Sequence, residues 1–246
     1  VAIRTIQLHQ GKAIYGVGGG ITWDSTWESE YREIHQKAAV LYRKQARFQL
    51  ITTGKISKKQ LLFEEQHLER LTKASRYFAF PFDAEDLRQK IEAECQTCDV
   101  NQDYRLRISL SKSGEIEVER QVLTPLSTSF CQAKLCLQEA DLNQSFTYFK
   151  TTYRPHLNLG EQEKIYHNAR GELLETYIGN LVLKIDGKLY TPPIRLGILP
   201  GIYRQHLLET GQVEEKALTL ADFAQAEAIY GCNAVRGLYE LQVIGL

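Results

Sequence analysis

Several short strings in this 246-residue sequence carry side chains able to do chemistry. Gly18-Gly19-Gly20 lets the backbone approach an anion and present N–H donors to it. Glu33 and Lys37 follow four residues apart, so they share one helical face. From chemistry alone this region reads as a tight turn beside a solvated ion pair, since a glycine cluster is a weak signal. Lys150 sits behind Phe149 in a β-rich run, where an inward lysine needs a purpose. Gly201-Ile202 opens a helix, and the free N–H groups and positive dipole end there suit a phosphate. Arg70 offers a fork of donors for an anion and Asn233 an amide donor, although Arg70 alone also reads as a solvated helix charge. Cys95 and Cys98 form one Cys-x-x-Cys, but zinc wants a second close pair and the six His are scattered. Five Cys, an odd number, without secretory context argue for reduced thiols.

These residues need elements to hold them. Ala2 to Leu8 and Ala13 to Val17 alternate as a hairpin turned at Gln10-Gly11, and Asp24-Ser25 precedes a helix over Glu28 to Gln45. Phe48 to Thr53 reads as a strand, Gly54 to Lys59 as a polar turn, and Leu61 to Phe63 as a second strand. Two helices follow, Glu64 to Arg76 and one capped by Pro81-Phe82-Asp83 that runs towards Glu94. Tyr104 to Leu110 and Ile116 to Val122 form a hairpin around Lys112-Ser113-Gly114. Beyond a linker at Pro125 to Ser129, strands are expected at Lys134 to Leu137, Phe146 to Thr151 and Lys164 to His167. A hairpin over Leu181 to Tyr190 turns at Asp186-Gly187, helices begin near Gly201 and Leu220, and two strands lie around Asn233. The pattern is α+β: a separate N-terminal piece followed by two subdomains.

Composition bounds the function. Thirty basic and thirty acidic side chains cancel, which removes the simplest case for a nucleic-acid or anionic-membrane protein. At 43% hydrophobic and 24% charged the chain can bury a full core, and no apolar run approaches the roughly 18 residues of a membrane span. A cytoplasmic place is the default. The chain opens on Val1 in mid-strand and holds no Met, so a longer parent polypeptide or omitted residues are expected.

The string from Tyr15 to Ser25, with Glu30-Tyr31-Arg32-Glu33 and Lys37, resembles the carboxy-terminal end of chorismate-utilising enzymes such as aminodeoxychorismate synthase component I. The resemblance implies that Arg4 and the Gly18, Gly19, Gly20 backbone hold chorismate carboxylates, that Glu33 binds Mg²⁺, and that Lys37 faces the substrate. About 44 residues of that domain are present, so residues 1–44 are expected to be inactive by themselves, and a glutamine amidotransferase subunit is a partner of the parent protein.

From Phe48 onwards the sequence resembles fold type IV pyridoxal-phosphate enzymes, which include 4-amino-4-deoxychorismate lyase and the branched-chain and D-amino acid aminotransferases. The elements that carry it are His67-Leu-Glu-Arg70-Leu, Phe149-Lys150-Thr-Thr-Tyr-Arg154, Gly171 to Asn180, Thr191-Pro-Pro, Gly197 to Arg204 and Gly231-Cys-Asn233-Ala234, in the family's order. The resemblance implies a small subdomain over residues 45–127, a cofactor subdomain over 128–246, and a homodimer. It makes Lys150 the residue that carries the cofactor covalently and then acts as base, and Glu175 the partner of the pyridine nitrogen. Arg70, Gly201, Ile202, Asn233 and Ala234 would then bind the cofactor. Taken alone, Glu175 also fits a surface strand residue.

Lyase and aminotransferase share this constellation. The order of a chorismate-enzyme tail and then a type IV domain favours a lyase that takes 4-amino-4-deoxychorismate to 4-aminobenzoate and pyruvate, in folate biosynthesis. Arg236 could then bind a substrate carboxylate and Thr53 position a leaving-group proton, against the plain readings of a surface Arg and a strand Thr. The alternatives are an aminotransferase and a degenerate domain that binds without turnover. Lys150 and Glu175 lie 25 apart, with a short stretch at Asn158 to Gln162, so a deleted loop or omitted residues are expected there.

Overall fold

The computed structural model describes residues 5–42, 46–125, 130–138, 145–157 and 163–244, and the chain divides into two compact units, 1–47 and 48–246. In the first, β1 (Ile6–His9) and β2 (Lys12–Tyr15) pair antiparallel around Gln10 and Gly11. Both turn residues have positive φ, 45° and 74°, the two-residue geometry that matches strand twist and that glycine adopts without cost. Helix α1 (Trp27–Tyr42) begins behind Thr26, whose hydroxyl accepts the Ser29 N–H, rather than at Asp24-Ser25. No residue of α1 is buried, and Trp23, Trp27 and Tyr31 stay exposed.

The second unit holds two subdomains. The smaller contains β3 (Leu50–Ser57), β4 (Gln60–Leu61), α2 (Glu64–Phe78), α3 (Ala84–Gln96), β5 (Tyr104–Leu110) and β6 (Ile116–Val122). Its strands lie in the order β4-β3-β5-β6, antiparallel throughout. Strand alternation sends Leu106, Ile108 and Leu110 into a core shared with Leu68 and Leu71 of α2 and Leu87 and Ile91 of α3. Arg105 and Arg107 therefore project from the other face. Asp83 caps α3 by accepting from the Glu85 and Asp86 amides. Gly54 is not in a turn as its residue type suggested. It lies inside β3, where a Cβ would stand 2.6 Å from His67 Nε2 and 2.7 Å from a Leu61 methyl, and the turn falls at Lys58-Lys59 instead.

The larger subdomain contains β7 (Phe130–Leu137), α4 (Ser145–Tyr148), β8 (Glu163–His167), β9 (Leu173–Thr176), β10 (Asn180–Ile185), β11 (Lys188–Thr191), α5 (Ile202–Glu209), β12 (Glu214–Glu215), α6 (Leu220–Gln225), β13 (Ala228–Asn233) and β14 (Gly237–Val243). Its sheet runs β12-β11-β10-β13-β14-β7-β8-β9, and a further pairing of Glu175 with Asn180 joins β9 back to β10. The core of the sheet is thereby a closed ring around Ala133, Ile165, Leu173, Leu181, Leu183, Tyr239 and Leu241. The expected strand over Phe146 to Thr151 is instead the single turn α4, followed by one bridge from Thr151 to Leu50. Aromatic packing overrides the strand propensity there: Phe146 meets Phe48 and Phe78, and Phe149 stacks on Tyr77 at 4.6 Å.

Arg4, the expected boundary between residues 127 and 128, and the 158–162 stretch lie outside the described residues. Among the described residues no helix is long and apolar enough to cross a membrane, and no group of three or more His, Cys, Asp or Glu could hold a metal. Cys95 and Cys98 are free buried thiols at the end of α3.

Candidate active site

Lys150 lies where the two subdomains are stitched together. Its carbonyl accepts the Ile51 N–H at 3.0 Å, while the Thr152 N–H donates to the Gln49 carbonyl at 3.0 Å. This fixes the backbone that carries the lysine against the start of β3. The side chain lines a cavity of about 540 Å³, together with Thr53, Asn233 and Arg236, so the structure brings four of the sequence-derived site residues into one space. Arg105, Arg107 and Arg154 line it as well. The ammonium is enclosed by protein but open to the cavity. Burial first, and then the charges of Arg70, Arg154, Arg105 and Arg107, pull its pKa down to about 7. A lysine so placed is substantially a free amine at neutral pH, the form needed of a nucleophile or base.

Glu175 does not line the cavity, yet the Lys150 charge acts on it in a fully enclosed position on β9. Burial raises its pKa to about 7, against the pull of Arg154, the Leu199 N–H and Lys150. One carboxylate oxygen accepts that Leu199 N–H at 3.3 Å, and the other lies 3.9 Å from Nε2 of buried His156. Burial brings His156 down to about 4, so the ring stays neutral beside the acid.

Arg70 projects from α2 and donates to the Pro200 carbonyl at 2.7 Å, next to the first turn of α5. Burial brings this guanidinium down to about 10, so it remains charged. Gly201 caps α5, and a Cβ there would stand 1.9 Å from Asn180 Oδ1, so only glycine fits beside the Asn180 side chain, which donates to the Leu199 carbonyl. Arg70 and the N-terminus of α5 at Gly201-Ile202 thus lie at one corner whose donors could hold an anion. Asn233 ends β13, and its oxygen accepts the Val235 and Arg236 amides, which leaves its NH₂ as the available donor; Ala234 sits within that turn. Arg236 reaches back to the Thr124 carbonyl at 3.3 Å. Behind Thr53, buried His67 bonds Thr52 at 2.6 Å and ties α2, with its Arg70, to β3.

The donor set fits a cofactor with phosphate at one end, a basic ring nitrogen at the other and an electrophilic carbon between. The Arg70 and α5 corner would take the first, enclosed Glu175 the second, and the Lys150 amine of lowered pKa the third. Arg105 and Arg107 escaped the sequence reading because they alternate with core residues like the solvated face of any hairpin. Arg-x-Arg on one strand face was the available signal.

In the N-terminal unit, Lys37 donates to the Gly18 carbonyl at 2.9 Å and pairs with Glu33, while a Cβ on Gly19 would meet a Glu30 carboxylate at 3.0 Å. Gly18, Gly19, Glu33 and Lys37 therefore do meet, with Glu33 paired to Lys37.

A closed ring of strands flanked by a smaller α+β subdomain, with a lysine between them, is the fold of type IV pyridoxal-phosphate enzymes. Residues 49–244 match the amino-transferase class IV family, and residues 1–43 match the chorismate binding enzyme family. The chain belongs to the class IV aminotransferase family, with chorismate-binding sequence fused ahead of it. It is 24% identical over 217 residues to an aminodeoxychorismate lyase of Vibrio harveyi, covering 76% of this chain and 79% of that one. Among solved structures, one classed as an amino-acid aminotransferase of Mesorhizobium loti superposes with a TM-score of 0.71 at 26% identity, over 80% of this chain and 100% of that one. A hypothetical aminotransferase of Mycobacterium tuberculosis in its PLP-bound form gives 0.66 at 19% identity, over 80% and 81% of the two chains.

Proposed function

We propose that this chain is a pyridoxal-phosphate-dependent lyase that converts 4-amino-4-deoxychorismate to 4-aminobenzoate and pyruvate. The observation that carries this reading is the charge of the cavity: Arg105, Arg107, Arg154 and Arg236 surround Lys150, and among the described residues no carboxylate side chain lines the same wall. Such a wall suits a substrate with two carboxylates and disfavours the apolar side chain of a branched-chain amino acid. The fused chorismate-binding sequence supports a substrate of the same chemical origin.

Arg70, the α5 N-terminus and the Asn233 amide would hold the cofactor phosphate, and Glu175 its ring nitrogen. When bound, pyridoxal phosphate supplies an electrophilic carbon for the substrate amine and an electron sink. Lys150 takes the proton from C4 of the substrate, and the C3–oxygen bond then breaks so that the enolpyruvyl group leaves as pyruvate. The ring becomes aromatic, and no water or keto acid is consumed. The Thr53 hydroxyl, on the cavity wall, would donate to the departing oxygen, and the arginines would hold the ring and enolpyruvyl carboxylates. A homodimer, a cytoplasmic place, an amidotransferase partner and Mg²⁺ in the parent chorismate domain belong to the same reading.

The shared lysine, carboxylate and arginine set also suits an aminotransferase using a dicarboxylate such as 2-oxoglutarate. An assay for pyruvate with and without 2-oxoglutarate separates the two. Release without any keto acid is expected. Release that needs 2-oxoglutarate, with transfer of the amino group, supports the aminotransferase.

A further inference from the structure

Glu163 is a buried carboxylate for which the proposed reaction has no use. It opens β8, is 6% exposed, and belongs to none of the motifs picked out in the sequence. One of its oxygens accepts the Ile178 N–H at 3.2 Å. The neighbouring Lys164 carbonyl accepts the Tyr177 N–H at 2.9 Å, so the start of β8 grips two successive amides of the turn that joins β9 to β10. That turn is also braced from within, the Gly179 N–H donating to the Thr176 hydroxyl and the Thr176 N–H to the Gly179 carbonyl, each at 3.0 Å. Burial pushes the Glu163 carboxyl up, and the Ile178, Thr176, Tyr177 and Lys164 donors pull it back.

The gripped turn is a wall of the site. Tyr177 and Ile178 line the cavity, and the Tyr177 carbonyl accepts from Arg154 Nη1 at 3.0 Å. Glu163 thus acts on the cavity at one remove, through a backbone whose carbonyl aims a guanidinium. The cofactor-facing groups are anchored elsewhere: Glu175 by the Leu199 amide, Arg70 by the Pro200 carbonyl, and Lys150 by β3.

We propose that Glu163 is a positioning residue for the substrate side of the cavity, holding the 176–179 turn and through it Arg154. Its effect on turnover rests on the lyase reading; its effect on the turn does not. The test compares cofactor-loaded wild type, Glu163→Leu and Glu163→Gln by steady-state kinetics and by amide hydrogen exchange. Glu163→Leu removes the acceptor, so KM rises about tenfold, kcat stays within about twofold, and the absorption of bound cofactor is unchanged. Exchange at Ile178 and Gly179 speeds up while that at Leu106 and Ile108 in the smaller subdomain does not. Glu163→Gln keeps an oxygen for the Ile178 N–H and returns KM to within about threefold of wild type.

Unchanged KM and unchanged exchange in Glu163→Leu overturn the proposal, as does loss of kcat or cofactor absorption with KM intact. If Glu163→Leu does not accumulate as folded protein, Thr176→Val loosens the same turn while keeping the carboxylate, removing the hydroxyl that accepts the Gly179 N–H and donates to Glu163. The same signs are expected there, and wild-type KM and exchange overturn it. If wild type releases no pyruvate, the lyase reading falls while exchange at Ile178 still reports on the brace.

Discussion

Two lysines make the comparison that organises this molecule. Lys37 lies at the surface beside a glycine loop, paired with Glu33 and with the Gly18 carbonyl, both fitting partners for an ammonium ion. Lys150 lies in a cavity with arginines around it and, among the described residues, no acidic side chain in hydrogen-bonding contact. The second environment expels the proton. Residue type is common to both, so reactivity here is a property of enclosure and neighbours.

Replacing each lysine by alanine sets the widest contrast. Lys150→Ala is expected to lower pyruvate release by about a thousandfold or more and to remove the visible band of bound cofactor. Lys37→Ala in the same assay stays within about twofold, since an exposed ion pair contributes little. Equal losses in the two variants would erase the distinction.

The arginine wall comes next. Arg107→Leu removes a carboxylate partner and a positive neighbour of Lys150, so kcat/KM is expected to fall about thirtyfold. The acid limb of the kcat profile, set by Lys150 once the substrate has released it to act as an unprotonated base, moves to higher pH. An unmoved limb would mean that burial alone sets the lysine.

Glycine fit gives an effect on stability. Gly201→Ala drives a methyl group into Asn180 Oδ1 and breaks the brace to the Leu199 carbonyl. A cost of about 2 kcal/mol is expected in denaturant titration of the apoprotein, along with weaker cofactor binding. Gly18→Ala, with nothing within 4 Å of the added carbon, changes neither.

Glu175→Gln is the finest probe. The folded-state pKa of Glu175 is raised to about 7, so the native apoprotein retains a proton that the unfolded chain gives up near 4.5. The contribution of that proton to stability is present below pH 4.5 and disappears as pH climbs through 7. Glutamine does not ionise, so melting curves of the two apoproteins should diverge in favour of the variant from pH 5 to pH 8, by on the order of 2 kcal/mol. Parallel curves would place Glu175 in a more polar setting.

Features written in local chemistry were readable from the sequence. The Asp83 cap, the Asp186-Gly187 hairpin and the Tyr104 to Val122 hairpin each depend on residues a few positions apart. Gly54 and the Phe146 to Thr151 segment were misread because distant partners decide them, the His67 ring in one case and an aromatic cluster in the other. For the site, motif resemblance supplied Lys150, Thr53, Asn233 and Arg236, which the fold gathers around one cavity. His156 and Glu163 were not legible, since each acts through a neighbour that only the closed sheet supplies.

That closure has a consequence for how the protein is made. The ring is joined at one seam by Glu175 and Asn180, five residues apart, and at another by β14 lying parallel to β7, which began more than a hundred residues earlier. A nascent chain can form the first seam as soon as β10 emerges from the ribosome, but the second must wait for the last strand. Lys150 is therefore translated long before Asn233 and Arg236, and until β14 docks the half-built sheet presents the unpaired edge of β7. The interval between making the lysine and enclosing it is the period in which the growing chain most needs protection from other chains.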